Sequence, residues 1–161
     1  MALGDNTLRS AAGNSQRGRN PFMVQTTLNW ATALSDKGGA LAAADVVPVI
    51  AVPKGTMILN AGIEVDTVTD GSTFTVDLGT GVDPDVFVDG FDATSAAAVV
   101  AQNPAVYQPV MAVADDNIDV TIASLSGGAV TSGKFRVWAV LMDCTDMGDT
   151  AADEVARDAL A

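Results

Sequence analysis

The chain has 161 residues, of which 48% are hydrophobic, 17% charged and 5% aromatic, which is typical of one globular domain with its own core. It contains no histidine and one cysteine, Cys144, which excludes histidine-based catalysis, most zinc sites and an internal disulfide. Eight basic residues against 20 acidic ones give a formal net charge of −12, so we expect no direct binding to nucleic acid or to an anionic membrane.

Residues 1–20 have the composition of an extended or flexible arm, with Gly, Ser, Asn and Gln and no apolar periodicity. The arm holds Arg9, Arg17 and Arg19 against a single aspartate, so its charge is opposite to that of the rest of the chain. Such a segment either becomes ordered on an acidic partner or is a frayed, solvated terminus. The three arginines are therefore candidate docking residues.

From residue 21 onwards the patterns are those of β-strands. FMVQTTLNW is followed by a linker with a Gly38-Gly39 turn and then by VVPVIAV, in which Pro48 predicts an edge strand or a bulge because proline cannot donate to a ladder. Two alternating segments, 57–68 and 73–78, flank an Asp70-Gly71 pair. That pair predicts a tight hairpin between them.

The remaining strands are short, except for KFRVWAVLM at 134–142. About eight strands with no repeated helix between them predict a mainly β fold, an antiparallel β-sandwich of jelly-roll-like type over residues 21–148. TAADEVARDALA predicts a short C-terminal helix within 149–161, since Thr150 and Asp153 have capping-box spacing.

The strand at 134–142 is apolar on both of its faces, whereas a single sandwich has only one interior. We therefore expect a homo-oligomer. The candidate interface residues are Phe135, Val137, Trp138 and Val140, although Phe135 and Trp138 are also expected in the core. Trp30, beside the arm, either anchors its segment on its own sandwich or inserts into a partner, so it joins the docking candidates.

Clustered aspartates in DPDVFVDGFD raise the alternative of a calcium loop. The EF-hand spacing fails, because Phe87 stands where the third ligand should be and no acidic residue closes the loop. Cys144 has acidic rather than basic neighbours, so we interpret it as an inert thiol. No nucleophile, base or cofactor motif is present, and we predict that the protein is not an enzyme and has no metal and no cofactor.

Two stretches, 52–90 and 133–143, resemble the small β-rich virion proteins of tailed bacteriophages known as capsid decoration or cement proteins. The resemblance implies a jelly-roll-like body, trimers at the threefold positions of the shell, and an arm or loop that bridges neighbouring major capsid subunits. It carries over no site residues. The protein would then lie on the capsid surface of the virion after assembly in the host cytoplasm, as the lack of a signal peptide or membrane span also indicates.

Two other functions remain open. A phage tail or head-fibre module would bind a host receptor through the loops at 70–72, 79–85 and 124–133. A cell-surface sandwich that binds carbohydrate or calcium is the third possibility. The copy number in a purified particle distinguishes a decoration protein from a tail or fibre module, because decoration requires hundreds of copies and a tail or fibre only a few.

Overall fold

The structure is a computed structural model that describes residues 20–94, 100–101 and 109–144. Residues 1–19 of the arm and the predicted C-terminal helix lie outside these residues. The elements are β1 (Phe22–Asn29), α1 (Trp30–Lys37), β2 (Val46–Val52), β3 (Thr56–Thr67), β4 (Thr73–Thr80), β5 (Val88–Asp92), β6 (Val100–Ala101), β7 (Val110–Met111), β8 (Asp116–Ser126) and β9 (Lys134–Asp143).

The strands form two antiparallel sheets. Sheet one has the order β1-β9-β3, and the two-residue strands β6 and β7 both pair with the other edge of β3. Sheet two has the order β2-β8-β4-β5. The pairing is nested along the chain, β1 with β9, β2 with β8, β3 with β6 and β7, and β4 with β5, which is the pairing of a jelly roll. The predicted mainly β sandwich is confirmed.

The predicted β3–β4 hairpin is wrong, because β3 lies in sheet one and β4 in sheet two. Each strand turns its apolar residues towards the other across the core, so the chain must cross between the layers instead of folding back in one sheet. Asp70 fixes this crossing: its carboxylate accepts bonds from Thr131 N at 2.9 Å, Thr131 Oγ1 at 2.5 Å and Ser132 N at 3.1 Å. The Asp-Gly pair therefore joins two loops.

The proline in β2 behaves as predicted. β2 is an edge strand of sheet two, and its register with β8 shifts between Pro48 and Ile50. A second bulge, between Ile58 and Asn60 in β3, changes which residues face the core. Ile58 is therefore buried, whereas Leu59 is only partly buried.

The segment predicted as a linker after Trp30 contains a helix, α1. The Asn29 side chain caps its start by accepting a bond from Ala31 N at 3.0 Å. Gly38, at φ 69°, closes its end by donating to the carbonyls of Leu34 and Ser35. No helix in the described part of the chain is long and apolar enough to cross a membrane.

Trp30 connects the layers at the centre of the core. Its ring is 0% exposed and lies edge-on to Phe74 of sheet two at 4.8 Å and to Phe135 of sheet one at 5.5 Å. The helix that Trp30 begins is thus held over one side of the sandwich by an aromatic cluster. The indole Nε1 is buried and has no hydrogen-bond partner among the described residues.

Candidate oligomer and docking surfaces

The two faces of β9 have different roles. Phe135 and Val137 point into the sandwich and are 0% exposed. Because they fill the interior of their own chain, they are removed from the candidate oligomer interface. Trp138 and Val140 point the other way and are only partly buried, so they remain candidates.

Trp138 and Val140 belong to a largely apolar surface on the outer side of sheet one, which we call the methionine face, although their paired neighbours Gln25 and Asn60 lie on the same side. Paired residues in a sheet share a face. Met57 pairs with both Met111 and Met142, and Met23 pairs with Val140. The methionine face consists of Met23, Met57, Met111, Trp138, Val140 and Met142, and it contains every methionine among the described residues.

The exposure of this face is highest at its edges. Met23 is 59% exposed and Met111 38% exposed, whereas Trp138 lies over Gly62 in the middle of the sheet and is partly covered. Methionine side chains are flexible and polarizable, and such surfaces adapt easily to an apolar partner. The methionine face therefore has the chemistry of a contact surface.

A charged network borders the methionine face. Arg136, two residues before Trp138, bonds Glu64 Oε2 through Nη1 at 2.8 Å and approaches Asp66 Oδ1 to 3.8 Å through Nη2. These groups are partly exposed, so their contribution to folding is small. At the edge of an interface they would instead restrict how a partner can lie across the sheet.

The candidate docking residues do not lie together. Arg9, Arg17 and Arg19 fall outside the described residues. Trp30 is wholly buried in its own core, so of the two roles considered for it the structure shows the internal one, and Trp30 is removed from the docking set.

A groove at one end of the sandwich was not predicted from the sequence. It has a volume of about 440 Å³ and lies where β2, β3 and β4 meet β7 and β8. Its lining is mainly aliphatic, with buried Val52 and Ile58 and with Val82 and Val113 exposed at 87% and 76%. We call it the acidic-rimmed groove because Asp115 and Asp116 also line it. The sequence signal that could have indicated this groove is the presence of apolar residues inside acidic turns, as in GTGVDPD and AVADDN.

The acid-rich loop considered for calcium uses its carboxylates in local turns. Asp92 accepts bonds from Thr94 N and Thr94 Oγ1, at 2.9 Å and 2.6 Å. A hydrogen bond with Asp85 raises the pKa of Asp83. Over residues 20–94 and 109–144, no group of three or more acidic or thiol side chains is arranged to hold a metal ion.

Two other aspartates lie against sheet two in less polar surroundings. Burial raises the pKa of Asp119, and the charge of Asp116 adds to the effect. Burial also raises the pKa of Asp77, helped by the charges of Asp89 and Asp85, although Asp77 Oδ1 accepts a bond from Gly90 N at 2.7 Å. Cys144, the one cysteine of the chain, is buried beyond the end of β9 and donates its N–H to the carbonyl of Gly55 at 2.8 Å.

No protein-family model and no curated protein matches the chain. Chains in three solved phage structures share its fold. The match to a chain of the cyanophage Pam1 capsid asymmetric unit has a TM-score of 0.62 at 16% identity and covers 88% of this chain and 98% of that one. A chain of the Ralstonia phage GP4 capsid matches at 0.54 and 16% identity, with coverages of 77% and 84%.

The third match is a chain in an acidic stable capsid structure of Helicobacter pylori bacteriophage KHP30, at a TM-score of 0.51 and 11% identity, with coverages of 77% and 89%. At these identities the matches show a common fold and no more. The coverages also show that the matched chains are about as long as this one and are matched over most of their length.

Proposed function

We propose that this chain is a structural virion protein that decorates the outer surface of a tailed-phage capsid and stabilises it by bridging major capsid subunits. The observation that carries the proposal is the likeness of nearly the whole chain to chains of similar length within phage capsid structures. The matches extend over 77% to 88% of this chain and over 84% to 98% of the matched chains. The proposed role is non-enzymatic.

The oligomer in this proposal is a homotrimer assembled through the methionine face. The support is the position of that face: it lies on the outer side of the central strand β9, and it contains Met23 and Met111, two of the large hydrophobic residues that the isolated chain leaves exposed. A trimer would bury these side chains without rearranging the sandwich. Each copy would then present its arm to the shell.

The arm is the proposed bridge. Arg9, Arg17 and Arg19 would bind an acidic surface of a neighbouring subunit, while the acidic body faces solvent. Exposed ion pairs contribute only about 0–1 kcal/mol each. Three arms acting from one trimer would raise the effective concentration of every contact, so that modest interfaces give slow release.

The deciding experiment is the copy number in purified particles, measured by quantitative mass spectrometry against the major capsid protein. Decoration requires hundreds of copies, and a dozen or fewer would contradict the proposal and favour the tail or head-fibre module. The second arm of the experiment adds purified protein to undecorated heads. Bound protein should raise the temperature at which the heads release DNA, and a variant lacking residues 1–19 should bind with lower occupancy.

A further inference from the structure

The acidic-rimmed groove opens at the end of the sandwich where the arm joins the body. β1 begins at Phe22, which pairs with Leu141 close to the end of β9. β9 itself ends at Asp143, opposite Thr56 at the start of β3. The lining residues Ile58 and Val52 lie near the start of β3 and at the end of β2. Arm and groove are therefore close together on the surface of the molecule.

The groove and the arm are chemically complementary. The groove offers exposed Val82 and Val113 to aliphatic side chains, and its volume falls in the range of roughly 300–1,000 Å³ typical of sites that bind small ligands. The carboxylates of Asp115 and Asp116 lie beside this apolar surface, so a segment that is both aliphatic and basic would be complementary to it.

One segment of this chain has that combination. Residues 1–19 include the aliphatic side chains of Leu3 and Leu8 and the three arginines, against Asp5 alone. The segment after β9 is a poor alternative occupant, because residues 145–161 hold Arg157 as their only basic residue against five acidic ones. Charge thus favours the arm.

We propose that residues 1–19 of one copy occupy the acidic-rimmed groove of a neighbouring copy, with leucine side chains against Val82 and Val113 and arginines beside Asp115 and Asp116. The inference rests on the proposed bridging role of the arm and adds a second partner for the arm beside the major capsid subunits, namely another copy of this chain. An extended arm of this length reaches about 60 Å, so reach does not limit the contact.

A neighbouring copy is favoured by the continuity of the groove with the methionine face. Met111 lines the groove and also belongs to that face, and Met23, close to the base of the arm, lies on the same face. A contact between copies through the methionine face would therefore bring the arm of one copy near the groove of another. Decoration proteins would be linked to one another as well as to the shell.

Disulfide trapping in the full-length protein tests the inference. Leu8→Cys and Val113→Cys variants are mixed in equal amounts and mildly oxidised, and the mixed product between the two chains is identified by mass. We expect a yield about fivefold or more above that of the control mixture of Leu8→Cys with Val46→Cys. Val46 is a suitable control because it is 55% exposed and lies at the other end of β2 from Val52.

Charge variants give the second measurement. Asp115→Asn with Asp116→Asn keeps acceptor oxygens for the bonds from Lys54 N and Asn117 N and removes two charges from the groove. The trapping yield should fall about threefold to tenfold, as expected for two exposed ion pairs. Asp36→Asn with Asp89→Asn changes the net charge equally, away from the groove, and should leave the yield unaltered.

A trapping yield no higher than in the control mixture overturns the inference. So does a double variant, Leu8→Cys with Val113→Cys, that closes only within one chain, since the arm would then occupy its own groove. Near-ultraviolet circular dichroism confirms that each variant is folded. Occupancy on undecorated heads is a separate readout: lower occupancy after arm deletion, without trapping, would refute the inference and leave the proposed function standing.

Discussion

A single charge introduced on the methionine face should disrupt the oligomer and leave the fold of each chain intact. Met23 is 59% exposed on β1, the edge strand of sheet one, so Met23→Asp should cost the isolated chain no more than about 1 kcal/mol, mostly through the poor strand propensity of aspartate. In a contact between copies the same carboxylate would be buried without a partner. That costs about 3–5 kcal/mol for each contact, or a factor of more than about 100 in its dissociation constant.

The measurement is sedimentation velocity over a concentration series, together with urea unfolding monitored by tryptophan fluorescence. The matched control is Val46→Asp, because Val46 is 55% exposed and also lies on an edge strand, β2 of sheet two. We expect wild type and Val46→Asp to sediment as trimers and Met23→Asp as a monomer of nearly normal stability. A Met23→Asp protein that remains a trimer at the same concentrations would refute the methionine face as the interface.

Three further predictions concern the fold. Gly79→Ala should cost more than about 3 kcal/mol of unfolding free energy, since its Cβ would collide with the backbone of Asp83 and the following proline; guanidinium unfolding measures this. Bonds from Thr131 lower the pKa of Asp70 to about 2, so their stabilisation is present above pH 4 and is lost as the pH falls towards 2. Asp70→Ala should lower the unfolding free energy by about 1 kcal/mol at pH 7, and by less near pH 2. Burial raises the pKa of Asp119, so ionising it destabilises the folded state as the pH rises; Asp119→Asn should melt higher than wild type at pH 7 and equally at about pH 3.

The strands were predictable because their signal is local. Phe74, Val76 and Leu78 alternate with polar residues, and all three are fully buried. The partner of a strand is not a local property. An Asp-Gly pair fits both a hairpin turn and a crossing between layers, and only the need of β3 and β4 to bury their apolar faces against each other decides between them.

The candidate contact surfaces were also hard to predict, because they too depend on which strands pair. Alternation in KFRVWAVLM shows that both faces of β9 are apolar, but which face forms the interior depends on how β9 lies between β1 and β3. The methionine face depends even more on pairing, because Met23, Met57, Met111 and Met142 are spread over 120 positions and meet only through the register of four strands. The α1 helix was missed for a different reason: eight residues give too short a periodic signal, although its Asn29 and Gly38 caps were visible.

The proposed contacts respond differently to the solvent, and that difference gives the assembly two separable forms of attachment. The charged part of the proposed arm contact consists of arginines facing carboxylates, an interaction that salt screens over about 8–10 Å at moderate ionic strength. The methionine face relies on apolar burial, which added salt does not weaken. Rising salt should therefore release the arms first and leave the trimer intact, because each surface keeps its own chemistry. A protein attached through several weak arms leaves a surface only when all are free together, so its release rate should fall much more steeply with falling salt than the dissociation constant of any one arm.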